Sequence, residues 1–272
     1  MQETAKEQGL FDFSEESEDF QRRHPLFRER YPNIITALNT AFVRTASLNE
    51  PIDKFVFLYG RLCCEEFFEV LSCCTTGCGS AALKLLRSFY EKAVTLRYLH
   101  DHPEELSNFW DYHHVSTYRL LVPIDETLRE GTVPAEMRAE VTAKYEEIKE
   151  RFMVTDCKKC GTKRLNHSWN KLDFVSMAKQ CGEIGMLRYP AYYVPLRHTH
   201  ATVGSLLSRL EDKEIEGVSF VSAPQRKEAD EALMSAQNVI FQVLKVQEEH
   251  FKLPGLAEQI KRCEQDFVEM HS

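Results

Sequence analysis

The densest chemistry in the chain lies in nine residues, Tyr192-Tyr193-Val194-Pro195-Leu196-Arg197-His198-Thr199-His200. An imidazole gives or takes a proton near neutral pH, and a guanidinium holds a phosphate through a planar fork. Neither needs a metal. The same composition also fits a satisfied, partly buried histidine pair at a helix start. A second cluster is Cys157-Lys158-Lys159-Cys160-Gly161, with His167 seven residues on. Two thiolates separated by two residues and followed by Gly have the form of a zinc knuckle, half of a tetrahedral site. His167 is the candidate third ligand, and Cys181 or a symmetry-related chain could complete the set. Two other readings stay open: an inert knuckle and a redox pair. The redox reading lacks the βαβ surroundings such a motif normally has.

Other chemistries leave no trace in the sequence. There is no G-x-S-x-G, no P-loop and no G-x-G-x-x-G, so no nucleotide cofactor is expected. A carboxylate-bridged di-metal bundle needs Glu-x-x-His on two helices. The chain has Asp111-x-x-His114 once, and Glu65, Glu66 and Glu69 cluster without paired histidines.

The elements that would position these groups read as helices. Apolar residues recur at three and four spacings over about 33–47, 51–74, 80–100, 101–128, 134–152, 172–182, 191–211, 225–250 and 255–270, which is the amphipathic helical period. Residues 155–170 have no such period. Residues 212–224 read as a loop, in which Val218-Ser219-Phe220-Val221 has no evident strand partner. The 80–100 segment is apolar nearly all round and belongs at the centre of a bundle. It nevertheless carries Arg87 and Glu91, four apart on one face. Buried charges are costly unless paired, and stranding one costs roughly 3–5 kcal/mol. The pair is therefore either an internal ion pair that sets helix register or part of a polar site inside the bundle.

The 272 residues are 43% hydrophobic and 28% charged, the composition of an ordinary globular protein with a sizeable core. The expectation is an all-α fold, a single multi-helix bundle over 25–272 with a short Cys-bearing insertion at about 155–170. A polar segment over 1–24, a tail or a loosely docked stretch, precedes it. The net charge of −8 argues against a general, sequence-blind grip on nucleic acid but leaves room for a local basic cleft. No apolar run approaches a membrane span and no signal-peptide core opens the chain, so the expected compartment is the cytoplasm. Nine cysteines, an odd number, read as free thiols, with the five between Cys63 and Cys78 serving as small buried side chains.

The run from Gly79 through Leu86-Arg87-Ser88-Phe89-Tyr90-Glu91, followed by Leu96-Arg97-Tyr98-Leu99 and a Pro-Glu turn, resembles a bacterial family known only as domain of unknown function five-six-seven-seven. Trp169, Ser176-Met177-Ala178-Lys179, the Tyr-rich segment and His200-Ala201-Thr202 match it in outline, over roughly 50–210. The family is all-helical without an agreed activity, and is distantly similar to the HEPN helical domains of toxin and phage-defence proteins. That resemblance implies a homodimer and one of two functions. One is a non-catalytic binding or adaptor module that docks a protein partner or RNA. The other is a metal-independent ribonuclease in which Arg197 binds phosphate and His200 is the general base. Arg87, Glu91, Tyr90 and Tyr193 would line the pocket. The spacing departs from the HEPN pattern, because only two residues separate Arg197 from His200.

Overall fold

The computed structural model describes residues 15–128, 131–156, 160–200, 203–207, 209–213, 217–220 and 224–272. The chain divides into two compact units, Met1–His100 with Ala178–Ser272, and Asp101–Met177. Composition suggests one domain over 25–272, whereas the contacts group 101–177 as a unit of its own. No described helix is long and apolar enough to cross a membrane.

The larger unit is a helical bundle. Its first members are α1 (Glu16–Arg23), α2 (Pro25–Phe42), α3 (Pro51–Thr75) and α4 (Gly79–Asp101). Helix α3 starts where the sequence places it. Pro51 occupies the first turn, and Glu50 and Asp53 form a reciprocal capping box, which satisfies N–H groups that have no partner within the helix. The Glu50 backbone N–H and the nearby His250 hold the Asp53 carboxyl below the usual carboxylate range. Gly77, at φ +70°, makes the left-handed turn that ends α3 and lets α4 begin two residues later.

The smaller unit holds α5 (Leu106–Thr127) and α6 (Ala135–Ile148), with an antiparallel hairpin of β1 (Met153–Thr155) and β2 (Lys163–Leu165). Tyr112, Val115, Ile148 and Phe152 form its core. Helix α7 (Phe174–Lys179) ends this stretch. Back in the larger unit follow α8 (Gly182–Met186), a π-helical turn at Tyr189–Tyr193, α9 (Val194–Thr199), α10 (Val203–Leu207) and a hairpin of β3 (Leu210–Lys213) and β4 (Gly217–Phe220). The last two helices are α11 (Arg226–Phe251) and α12 (Leu256–His271).

The core of the larger unit is built on α3, α4 and α11. Phe67, Leu86, Phe89, Leu96, Val239, Ile240 and Leu244 are all fully buried. Ring packing of Phe67 on Phe89, at 6.4 Å between centroids, joins α3 to α4. On α11 even Gln247 is fully buried, and its Nε2 donates to the Val56 carbonyl at 2.7 Å. Its Oε1 is buried without a hydrogen-bond partner among the described residues, so the amide is half satisfied.

Three expectations change. The polar stretch 1–24 is not all tail. Phe20 of α1 is buried, Arg226 bonds Glu16, and Arg23 reaches Asp230 at 2.5 Å. One buried aromatic and a set of ion pairs dock a helix whose composition looks like surface. The segment 191–211 is not one helix. Pro195 has no N–H to extend an ordinary helical ladder, and the preceding turn widens so that the Val194 N–H reaches the Tyr189 carbonyl. Finally, β4 does have a partner, with Phe220 opposite Leu210. The partner strand, Leu210-Glu211-Asp212-Lys213, lacks apolar alternation, so periodicity could not mark it.

Candidate functional site

The N-terminal half of α4 faces α9. Gly79 permits this. An added Cβ there would lie 2.2 Å from the Gln225 carbonyl oxygen and 2.7 Å from the Ala229 nitrogen, so only glycine lets the start of α4 meet the start of α11. The Gln225 side chain then accepts the Ser80 N–H at 3.0 Å, capping α4 from a residue far away in sequence. Along α4, Ser80, Lys84, Arg87 and Glu91 follow at four, three and four residues and so share one face.

Two histidines approach that face. Ser80 Oγ and His198 Nδ1 lie 3.4 Å apart. Arg87 Nη1 donates to His200 Nε2 at 3.4 Å, an arrangement that needs a lone pair on Nε2 and leaves the ring proton on Nδ1. Arg87 Nε also donates to Glu91 Oε1 at 2.9 Å, and the guanidinium stands 4.7 Å from the centroid of the Tyr192 ring. Beside these contacts opens a cleft of about 330 Å³ lined by Ser80, Lys84, His198, Thr199, His200, Ser205 and Arg209. Burial lowers the His198 pKa from the ordinary imidazole value. Glu228 pulls it the other way, and the positive charges of Arg209, Arg197 and Lys84 add to the lowering. His198 is therefore neutral at physiological pH, in a pocket whose nearest charges are mostly positive.

The expected site residues sort as follows. Arg87, Glu91 and His200 come together. Arg197 is exposed and is not among the residues lining the cleft; it acts on His198 through its charge. Tyr193 is exposed and packs edge-on against Tyr192, centroids 5.4 Å apart. Tyr90 is fully buried, and its hydroxyl donates to the Ile184 carbonyl at 3.1 Å, a core role rather than a pocket one. Cys157 lies outside the described residues. Cys160 is exposed, with Sγ 2.8 Å from Thr162 Oγ1, and His167 is exposed two residues beyond β2. Among the described residues, no three His, Cys, Asp or Glu side chains are grouped to hold a metal. Cys181 is buried, with Sγ 3.8 Å from the Val94 carbonyl.

Sequence reasoning passed over Ser80, Lys84 and Arg209 as site residues, and marked His198 only as part of the 192–200 cluster. Lys84 was findable, three residues before Arg87 on the same face. Arg209 was not, because a break at His200 and a short helix intervene.

The Arg87–Glu91 pair is less buried than an apolar helix suggests, with side chains 18% and 41% exposed. Solvent screens such a pair. Arg87→Ala is thus expected to cost about 1–2 kcal/mol, the sum of a part-exposed ion pair and a cation–π contact. Urea unfolding measures it, and a loss of roughly 4 kcal/mol would instead mark the pair as fully desolvated.

The smaller unit has its own cleft, about 310 Å³, with Glu105, Asn108, Arg151 and Trp169 in its wall. Its polar groups already serve one another: Arg151 bonds Asp111 and Asn108, each at 2.7 Å, and Asn108 bonds Glu105 at 2.8 Å.

No curated protein and no solved structure matches the chain. A family model described as a family of unknown function (DUF5677) matches residues 54–217. That span contains most of α3 and all of α4 and α9, and so most of the cleft. Because it covers more than half of the 272 residues, the chain belongs to the DUF5677 family.

Proposed function

We propose that the chain is a HEPN-like binding module whose cleft at α4 and α9 takes a phosphate-bearing partner, RNA by class. One observation carries this reading. A chain of net charge −8 gathers Lys84, Arg209, His198 and His200, with the hydroxyls of Ser80, Thr199 and Ser205, around a single cleft. Cations and hydroxyl donors converging in a concave site suit a phosphate group. The Arg87 guanidinium stands one contact behind it, braced by Glu91 and Tyr192.

Fluorescence anisotropy with a labelled single-stranded oligoribonucleotide tests this. Lys84→Ala with Arg209→Ala should weaken binding by on the order of tenfold or more and flatten its salt dependence. Wild-type binding should tighten as pH falls from about 7.5 to 6. The sign follows from the free protein, in which His198 has a lowered pKa and is neutral. A bound phosphate favours the imidazolium, so binding takes up a proton. Affinity unchanged in the double variant would reject the reading.

A second reading is the metal-independent ribonuclease, favoured by two imidazoles lining one cleft. A neutral imidazole, His198 or the expected base His200, would take the ribose 2′-hydroxyl proton as that oxygen attacks phosphorus, and water would give one to the departing 5′-oxygen. Wild type would then cut the oligonucleotide, whereas His198→Ala and His200→Gln would fold and leave it whole. An intact oligonucleotide after incubation with wild type leaves the binding module alone.

Structural zinc held by Cys157, Cys160 and His167 is a further proposal. It is supported by the hairpin β1–β2, whose connection carries the Cys pair, and by Gly161 at φ +70°, the backbone form that turns N–H groups toward a sulfur. Metal analysis of chelator-free protein should find about one Zn²⁺ per chain or per two chains, lost in Cys157→Ser. Metal-free wild type would retire the proposal.

A further inference from the structure

One face of α3 is exposed along its whole length. Leu58 and Phe68 on it are 57% and 38% exposed, with Leu62 beside them at 37%. Leu58 and Phe68 belong to a regular seam, Lys54, Leu58, Arg61, Glu65, Phe68 and Ser72, all exposed. The steps are four, three, four, three and four residues, the spacing of a two-helix seam, and the seam runs for about 27 Å at 1.5 Å per residue.

The order of residues in this seam is self-complementary. Laid antiparallel on a second copy of itself about a two-fold axis at Cys63, Leu58 meets Phe68, Arg61 meets Glu65 and Lys54 meets Ser72. Each pairing occurs twice by symmetry, so two Arg–Glu pairs at the centre are flanked by two Leu–Phe contacts. A parallel alignment would set Arg61 against Arg61 and Glu65 against Glu65. Neither Arg61 nor Glu65 makes an ion pair among the described residues. A seam in which every position finds its complement in the reversed copy is the signature of an isologous contact.

We infer that this face of α3 is a homodimer interface, with two copies of the chain packed antiparallel through Leu58, Arg61, Glu65 and Phe68. The contact concerns one face of one helix and lies outside the phosphate cleft, so it stands independently of the function proposed above. A single helix pair buries less than a standard interface of about 1,600 Å², the size class of weak, reversible contacts.

The geometry dictates the test. Sedimentation equilibrium of the full chain at micromolar concentrations should show monomer and dimer in exchange. R61E and E65R should each weaken self-association by on the order of tenfold or more, because each sets like charges against one another across the axis. The double variant R61E/E65R should restore the dimer, since it rebuilds both pairs with their sense reversed. Mixing the R61E chain with the E65R chain should give a heterodimer that neither forms alone. All four residues are on the surface, and circular dichroism checks that each variant folds. A wild type that stays monomeric throughout, or a dimer whose strength is the same in R61E and in the double variant, overturns the inference.

Discussion

Gly79→Ala is expected to cost about 3 kcal/mol or more of stability, and with it the cleft. The cause is local. Three atoms crowd the site of the new Cβ: the Gln225 carbonyl oxygen at 2.2 Å, the Ala229 nitrogen at 2.7 Å and Glu228 Cβ at 2.7 Å. Two of the three are backbone at the start of α11, so no side chain can swing aside to make room. The helix start must move instead. That movement strains the Gln225 bond to the Ser80 N–H, at 3.0 Å, and the bond from the Gln225 N–H to the Gly77 carbonyl, at 2.9 Å. Ser80 follows Gly79 directly and Lys84 lies about one turn further along α4, so the cleft is disturbed along with the core. Chemical denaturation gives the stability and oligoribonucleotide binding gives the site. A variant that keeps wild-type stability would mean that α4 and α11 can separate freely there.

Tyr90→Ala should be as damaging, about 3–5 kcal/mol, because it empties a large volume in a core that relaxes only partly around the hole. Tyr90 is fully buried, and its ring forms part of the surface α4 turns inward with Phe89 and Leu86. Tyr90→Phe keeps the ring and loses only the hydroxyl bond to the Ile184 carbonyl. About 1–3 kcal/mol is expected there, the cost of a buried acceptor left without that donor. Burial also raises the Tyr90 pKa, so the hydroxyl keeps its proton and remains a donor. Neither change should alter phosphate-ligand affinity in the fraction that remains folded. Loss of affinity in Tyr90→Phe, at a temperature where it is fully folded, would return Tyr90 to the pocket.

Helical class and the rank of α4 follow from the sequence, because both depend on local period. Leu83, Leu86, Phe89, Tyr90, Ala93, Val94 and Leu96 surround the helix, and all are buried. The start of α3 is equally local: Pro51 in the first turn and an acidic residue two positions later cap the helix with residues adjacent in the chain. The meeting of Arg87 with Glu91 also needs only helical spacing. By contrast, their degree of burial depends on what lies opposite, and the period of α4 could not say that the opposite side was partly open to solvent.

What joins α4 to α9 is invisible in the chain order. Ser80 and His198 are more than a hundred residues apart, and the contact between them exists only because Gly79 lets two helix starts touch and Pro195 re-registers the turn before α9. The docking of α1 rests on ion pairs to α11, and residues that pair across such distances look like any solvated charge when read one after another. Helical period determined which faces turn inward, because burial of an apolar stripe is a property of one segment. Tertiary structure alone decided which polar faces meet, because the partners of Lys84, His198, His200 and Arg209 come from separate segments. Only packing brings them into one cleft.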